Sequence, residues 1–109
     1  MATCVSIEPG ICKLPTNVTA ELTDEDEVKL TVHSGCGNVK AMMAELGDTF
    51  DAFEVCLCKP GEGPFYEYAQ EHFPGHVSCV AINGIIKAVE VEGKLALPCD
   101  CSIKFIDRD

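Results

Sequence analysis

Val32-His33-Ser34-Gly35-Cys36-Gly37-Asn38-Val39-Lys40 decides how the chain is read. Val28, Leu30 and Val32 alternate with polar residues up to this stretch, which is the period of a half-buried strand. Beyond it, Val39, Met42, Met43 and Leu46 recur at helical spacing, and Gly47 is a suitable stop. A strand therefore turns into a helix at a cysteine held between Gly35 and Gly37. Glycines allow the sharp turn. The first N–H groups of a helix lack intrahelical partners and favour negative charge, so Cys36 stands where a thiolate would be stabilised.

Toward the N-terminus, the acidic run Thr23-Asp24-Glu25-Asp26-Glu27 reads as a solvated hairpin connection, since a calcium loop needs wider oxygen spacing. Before it, Val18, Ala20 and Leu22 alternate, and so do Thr3, Val5 and Ile7 ahead of the turn Pro9-Gly10. Two or three adjacent antiparallel strands follow. Asn17-Val18-Thr19 has the form of a glycosylation acceptor and is read as coincidental in a chain that is not secreted.

Toward the C-terminus, Asp48 to Gly63 has no clean period. Phe50, Phe53, Val55 and Leu57 look buried, in a short helix or a strand segment. Pro64 suits a first helical turn, with Phe65, Tyr68, Ala69 and Phe73 as the apolar face and Pro74-Gly75 as the end. Ala81, Ile82, Ile85, Ala88 and Val89 define a further helix, with Ser78 as its expected cap and Gly84 as a point of close packing. After Pro98, Cys101, Ile103 and Phe105 alternate as a last strand. The expected fold is α+β: an antiparallel sheet of three to four strands with helices packed on one face, in the order β-β-β-α-α-α-β.

At 109 residues, 47% of them apolar, the chain is read as one domain, residues 1–109. A net charge of −10 opposes binding to nucleic acid and to anionic membrane surfaces. Met1-Ala2-Thr3-Cys4 lacks the basic and apolar regions of a signal peptide, and no apolar run approaches the roughly 20 residues of a membrane span. A cytoplasmic location is expected, where eight cysteines serve as reduced thiols, metal ligands or redox groups rather than disulfides.

The chemistry lies in three of those cysteines. Cys12 follows the first turn, and Cys36 and Cys79 each stand where a helix is expected to begin. Such positions can converge at one edge of a sheet, and three thiolates suit Zn(II) or an Fe–S cluster. His76, three residues before Cys79, is the preferred fourth ligand, because His33 falls on the outward face of its strand. Cys56-Leu57-Cys58 and Cys99-Asp100-Cys101 are C-x-C pairs, suited on a strand to metal or to a strained redox disulfide.

The order Gly10-Ile11-Cys12, Ser34-Gly35-Cys36-Gly37 and His76-Val77-Ser78-Cys79, the last before Ile85-Ile86-Lys87-Ala88, resembles the U-type iron–sulfur scaffold family (IscU/NifU). The chain is also similar to the TSCPD-type domain, a short metal-binding module. The resemblance spans roughly residues 10 to 90. It implies an α+β fold in which Cys12, Cys36 and Cys79 cluster to carry an Fe–S cluster or zinc. Lys13-Leu14 replaces the acidic residue that follows the scaffold's first cysteine, and Val80-Ala81 replaces the Pro-Asp of the TSCPD signature.

Three functions are consistent with these residues: a metal- or cluster-binding module, a non-catalytic interaction protein with buried structural cysteines and a protein partner, and a thiol or redox protein using Cys36. No paired carboxylates and no Ser/His/Asp order stand out as catalytic machinery, and Cys36 has no evident histidine base. A non-enzymatic role is therefore preferred.

Overall fold

A computed structural model describes residues 2–107; Met1, Arg108 and Asp109, which the single-domain reading includes, lie outside the described residues. Strands β1 (Ala2–Ile7), β2 (Thr16–Leu22) and β3 (Glu27–Ser34) are followed by α1 (Gly37–Leu46) and a short β4 (Thr49–Asp51). Helices α2 (Ala52–Cys56), α3 (Pro64–His72) and α4 (Ala81–Glu92) complete the element order. The four strands form one antiparallel meander, β1-β2-β3-β4. The architecture is the α+β arrangement expected from the residue periods.

Strand alternation sets the layers. Ile7, Val18, Ala20, Val28 and Leu30 are buried on one face, while Cys4, Asn17, Lys29 and His33 point to solvent. The register Val5↔Val18 and Val18↔Val32 stacks β-branched side chains across three strands. Helix α4 covers this face by lying across β1 and β2, α1 packs on β3, and α2 packs on α4. Val39 and Met42 of α1, Phe65 of α3, and Ile85, Ala88 and Val89 of α4 join the same core. Met42 lies in that core and Met43 at its margin, as the helical spacing implies.

Asp48 to Gly63 resolves into both of the structures left open for it. Phe50 enters the core from β4, and Asp51 then starts α2 by accepting hydrogen bonds from the N–H groups of Phe53 (2.9 Å) and Glu54 (3.2 Å). Phe53 and Leu57, expected inside, are 43% and 66% exposed. In this short helix Ala52 and Val55 face α4, which turns Phe53 and Leu57 outward.

Two further expectations are corrected. Helix α4 is not capped by Ser78: its N-cap is Val80, without a side-chain hydrogen bond, and Cys79 precedes the helix rather than lying in its first turn. Burial begins at Ala81 and Ile82, and Ser78 remains in solvent one turn upstream. The strand expected after Pro98 is absent among the described residues: 97–107 carry no regular structure and are exposed throughout. The fourth strand is Thr49–Asp51, paired to β3 through Val28↔Phe50. Alternation alone does not make a strand; a partner must satisfy its backbone groups.

Glu92, at the end of α4, locks the helix to the sheet. Its carboxylate accepts from Thr3 Oγ1 on β1 (2.7 Å) and from the backbone N–H of Leu22 on β2 (2.9 Å). Hydrogen bonds to a charged group contribute about 1.5–3 kcal/mol. Glu92→Ala is expected to lower stability by about 2 kcal/mol. Urea denaturation checks this as a lower midpoint at unchanged slope.

Candidate metal-ligand and thiol sites

The sheet register fixes where the cysteines lie. Ile7 pairs with Thr16, and Thr16 pairs with Ser34, so the β1–β2 loop and the β3–α1 corner leave the sheet at the same end. Two bonds tie them together: the Thr16 and Ser34 hydroxyls are 2.7 Å apart, and Gly35 N–H donates to Pro15 O at 3.0 Å. The approach is close, since a Cβ on Gly35 would stand 3.4 Å from Leu14 Cα. Cys12 occupies that loop and Cys36 that corner.

Helix α4 brings the third cysteine to this end. Gly84, in its first turns, lies against Ile7 at the end of β1, whereas Glu92 holds Thr3 at the start of β1. The N-terminal end of α4 therefore lies over the end of the sheet that carries Cys12 and Cys36, and Cys79 immediately precedes it.

The three positions differ in setting. Cys36 is the N-cap of α1 in extended conformation (φ −87°, ψ 122°), its N–H donating to Ser34 Oγ at 3.0 Å. Cys36 and Cys79 are half-buried and pack against the core. Cys12 and His76 are exposed in loops, and His76 N–H donates to Pro74 O at 2.6 Å. His33 faces solvent on β3, as expected. Among the described residues no three His, Cys, Asp or Glu side chains are gathered into a metal-holding group. The fold brings Cys12, Cys36 and Cys79 to a common end without drawing their sulfurs into one set. Ile11 and Val77, fully exposed apolar residues, flank Cys12 and Cys79 there.

The remaining cysteines are also free thiols. Cys56 ends α2 against α4, its Sγ 3.8 Å from Ile86 O. Cys58 Sγ lies 3.6 Å from Val55 O. Burial pushes the Cys56 thiol from 9.0 up to about 11, helped by the negative charges of Glu90 and Cys58. Glu90 was not legible as a neighbour of Cys56, because only the packing of α2 on α4 joins them.

The sign of the resulting pH dependence follows. Between about pH 9 and about pH 11 the unfolded chain has lost the Cys56 proton while the folded chain retains it. The native state then binds more protons, so stability falls as pH rises through that window and is fully present below it. In metal-free, reduced protein the melting temperature is expected to drop more steeply over this range than in Cys56→Ala. Parallel slopes in thermal scans of the two proteins would contradict the placement of Cys56.

No described helix is long and apolar enough to cross a membrane. The meander, its helix-covered face and eight free thiols define a small cysteine-rich α+β protein. Residues 3–105 match DUF6951, a family of unknown function, and the chain belongs to that family. No curated protein and no solved structure matches the chain.

Proposed function

We propose that the protein is a binding module for a soft metal ion or an Fe–S cluster, with Cys12, Cys36 and Cys79 as thiolate ligands and His76 as the fourth. The observation that carries this reading is the placement of three cysteines from separate segments at one end of the sheet. Three thiolates with an imidazole form a donor set suited to Zn(II), and three thiolates suit Fe–S clusters. The resemblance of the same three motifs to U-type iron–sulfur scaffolds supports the same ligands. Cys36, anchored at the α1 N-cap, provides the fixed sulfur. Loading draws the exposed Cys12 loop and the His76–Cys79 segment toward it.

The test is metal and acid-labile sulfide analysis of protein purified without oxygen, before and after reconstitution. The Cys12→Ser variant is expected to hold one equivalent of zinc, or one iron–sulfide centre, less than the parent. Cys12 is exposed, so this variant leaves the core intact. Undiminished metal in Cys12→Ser would reject the site.

The half-buried settings of Cys36 and Cys79 favour a second reading: a non-catalytic interaction protein in which these cysteines fill the margin of the core and exposed Ile11 and Val77 meet a protein partner. Repeated metal-free preparations that also resist reconstitution decide for it.

A further inference from the structure

Two features of the sequence signal burial, and both lie in solvent. Phe53 and Leu57 project from the outer side of α2, four residues apart and so on one helical face. Ile103 and Phe105, two residues apart as on one side of a strand, are exposed in the C-terminal segment. A C-x-C pair accompanies each: Cys56 ends α2 with Cys58 two residues beyond it, and Cys99 and Cys101 lead into the apolar part of the segment. All four of these cysteines are free thiols.

The chain geometry lets the two pairs meet. The segment leaves α4 at Gly93, where the helix end lies against the start of α2, so close that a Cβ on Gly93 would stand 2.8 Å from Ala52 Cβ. Cys56 meets α4 at Ile86, about 10 Å up the helix from Gly93 at a rise of ~1.5 Å per residue. Leu95 packs on the core with its N–H bonded back to Glu90 O (2.9 Å), so the free link runs from Leu95 to Cys99; it extends to about 13 Å, against about 6 Å along the helix from Glu90 to Ile86. The segment from 97 onward is free of regular structure and open to solvent, so no packed element must be dismantled for it to move. The Cys58 sulfur lies just beyond the end of α2, 3.6 Å from Val55 O and so close to Gly63 that a Cβ there would stand 3.2 Å from Sγ.

We propose that Cys56, Cys58, Cys99 and Cys101 form a four-thiolate site for a tetrahedral divalent ion of the zinc class, closed when the C-terminal segment folds back over α2. Uptake of one M²⁺ by the four thiols releases four protons and leaves a tetrathiolate centre of charge −2; no electron is transferred. Lys59 and Lys104 follow the two pairs and offset that charge. Closure lays Ile103 and Phe105 over Phe53 and Leu57, so apolar burial and metal ligation favour the same closed form. This site is separate from the one at the sheet end and does not depend on it.

Anaerobic titration with Co(II), followed by visible absorption, tests the proposal on the full chain. Cys12→Ser serves as background, to weaken the sheet-end site. One cobalt equivalent is expected to bind there with the intense bands of tetrahedral thiolate coordination. Adding Cys99→Ser and Cys101→Ser should abolish that spectrum, and Cys58→Ser should weaken it strongly. All three positions are exposed, so these variants fold. Amide exchange across 97–107 should slow on zinc addition in the parent and not in the Cys99→Ser/Cys101→Ser variant. An unchanged cobalt spectrum in that variant would overturn the site. So would full binding in Cys58→Ser, which would leave the tail pair acting alone, and so would tail exchange indifferent to zinc. Zinc-driven dimerisation in sedimentation would overturn closure within one chain.

Discussion

Phe65→Ala is expected to lower the unfolding free energy by about 3–5 kcal/mol, the usual cost of emptying a large aromatic site in a core. Phe65 is 1% exposed and the largest fully buried side chain, near the start of α3. Its ring lies 4.9 Å from that of Phe50, tilted by 41°, so it joins α3 to β4 as well as filling the core. Removing the ring leaves a cavity and ends an aromatic contact worth about 0.5–1.5 kcal/mol beyond its area. Against a typical stability of about 5–15 kcal/mol, the loss is large. Urea denaturation measures it directly, and a change under about 1 kcal/mol would contradict the packing described.

Gly84→Val is expected to destabilise by about 3 kcal/mol, toward the upper end of overpacking costs. A Cβ at Gly84 overlaps the Cγ1 and Cδ1 atoms of Ile7, itself buried at the end of β1. Ile7 cannot yield freely inside the core, so α4 must lift from β1. A β-branched side chain is also restricted within a helix. Gly84→Ala should cost less, because alanine returns about 1 kcal/mol of helix propensity against a smaller overlap. The ordering glycine, alanine, valine in thermal midpoint is the test, and a stabilised valine variant would show that α4 does not rest on Ile7 there. The consequence reaches the sheet end, since the contact that seats α4 also sets Cys79 at the end of the sheet that carries Cys12. The proposed metal binding at that end should therefore weaken in Gly84→Val even where the protein remains folded.

Much of this fold is legible residue by residue. Val28, Leu30 and Val32 alternate because one sheet face is covered by helices and the other is solvated. Gly47 ends α1 with φ 86°, a conformation that glycine adopts without steric cost. Gly84 reads as a close-packing point, and Ile7 is the side chain it accommodates. The stretch after Asp48 was harder, because a three-residue strand and a five-residue helix are each too short to show a period. Phe53 and Leu57 misled for a related reason: hydrophobicity marks what can be buried, whereas the neighbour that does the burying is set by the rest of the fold.

The candidate sites divide along the same line. Cys12, Cys36, Cys79 and His76 could be named from their places beside turns and expected helix starts, since glycine, serine and proline mark those places locally. That the three cysteines belong to one end of the sheet is a statement about register and about the direction in which α4 crosses β1, and no local signal contains it. The half-burial of Cys36 and Cys79 and the effect of the Glu90 charge on the Cys56 thiol likewise arise from contacts between distant segments. By itself the sequence determined the first three strands of the meander, helices α1, α3 and α4 and the faces these turn inward, because backbone periodicity and side-chain polarity act over a few residues. Only the tertiary structure decided that Thr49–Asp51 rather than the C-terminal segment becomes the fourth strand. A strand exists by virtue of its partner's hydrogen bonds, and β3 offers its open edge to the segment that returns first from α1.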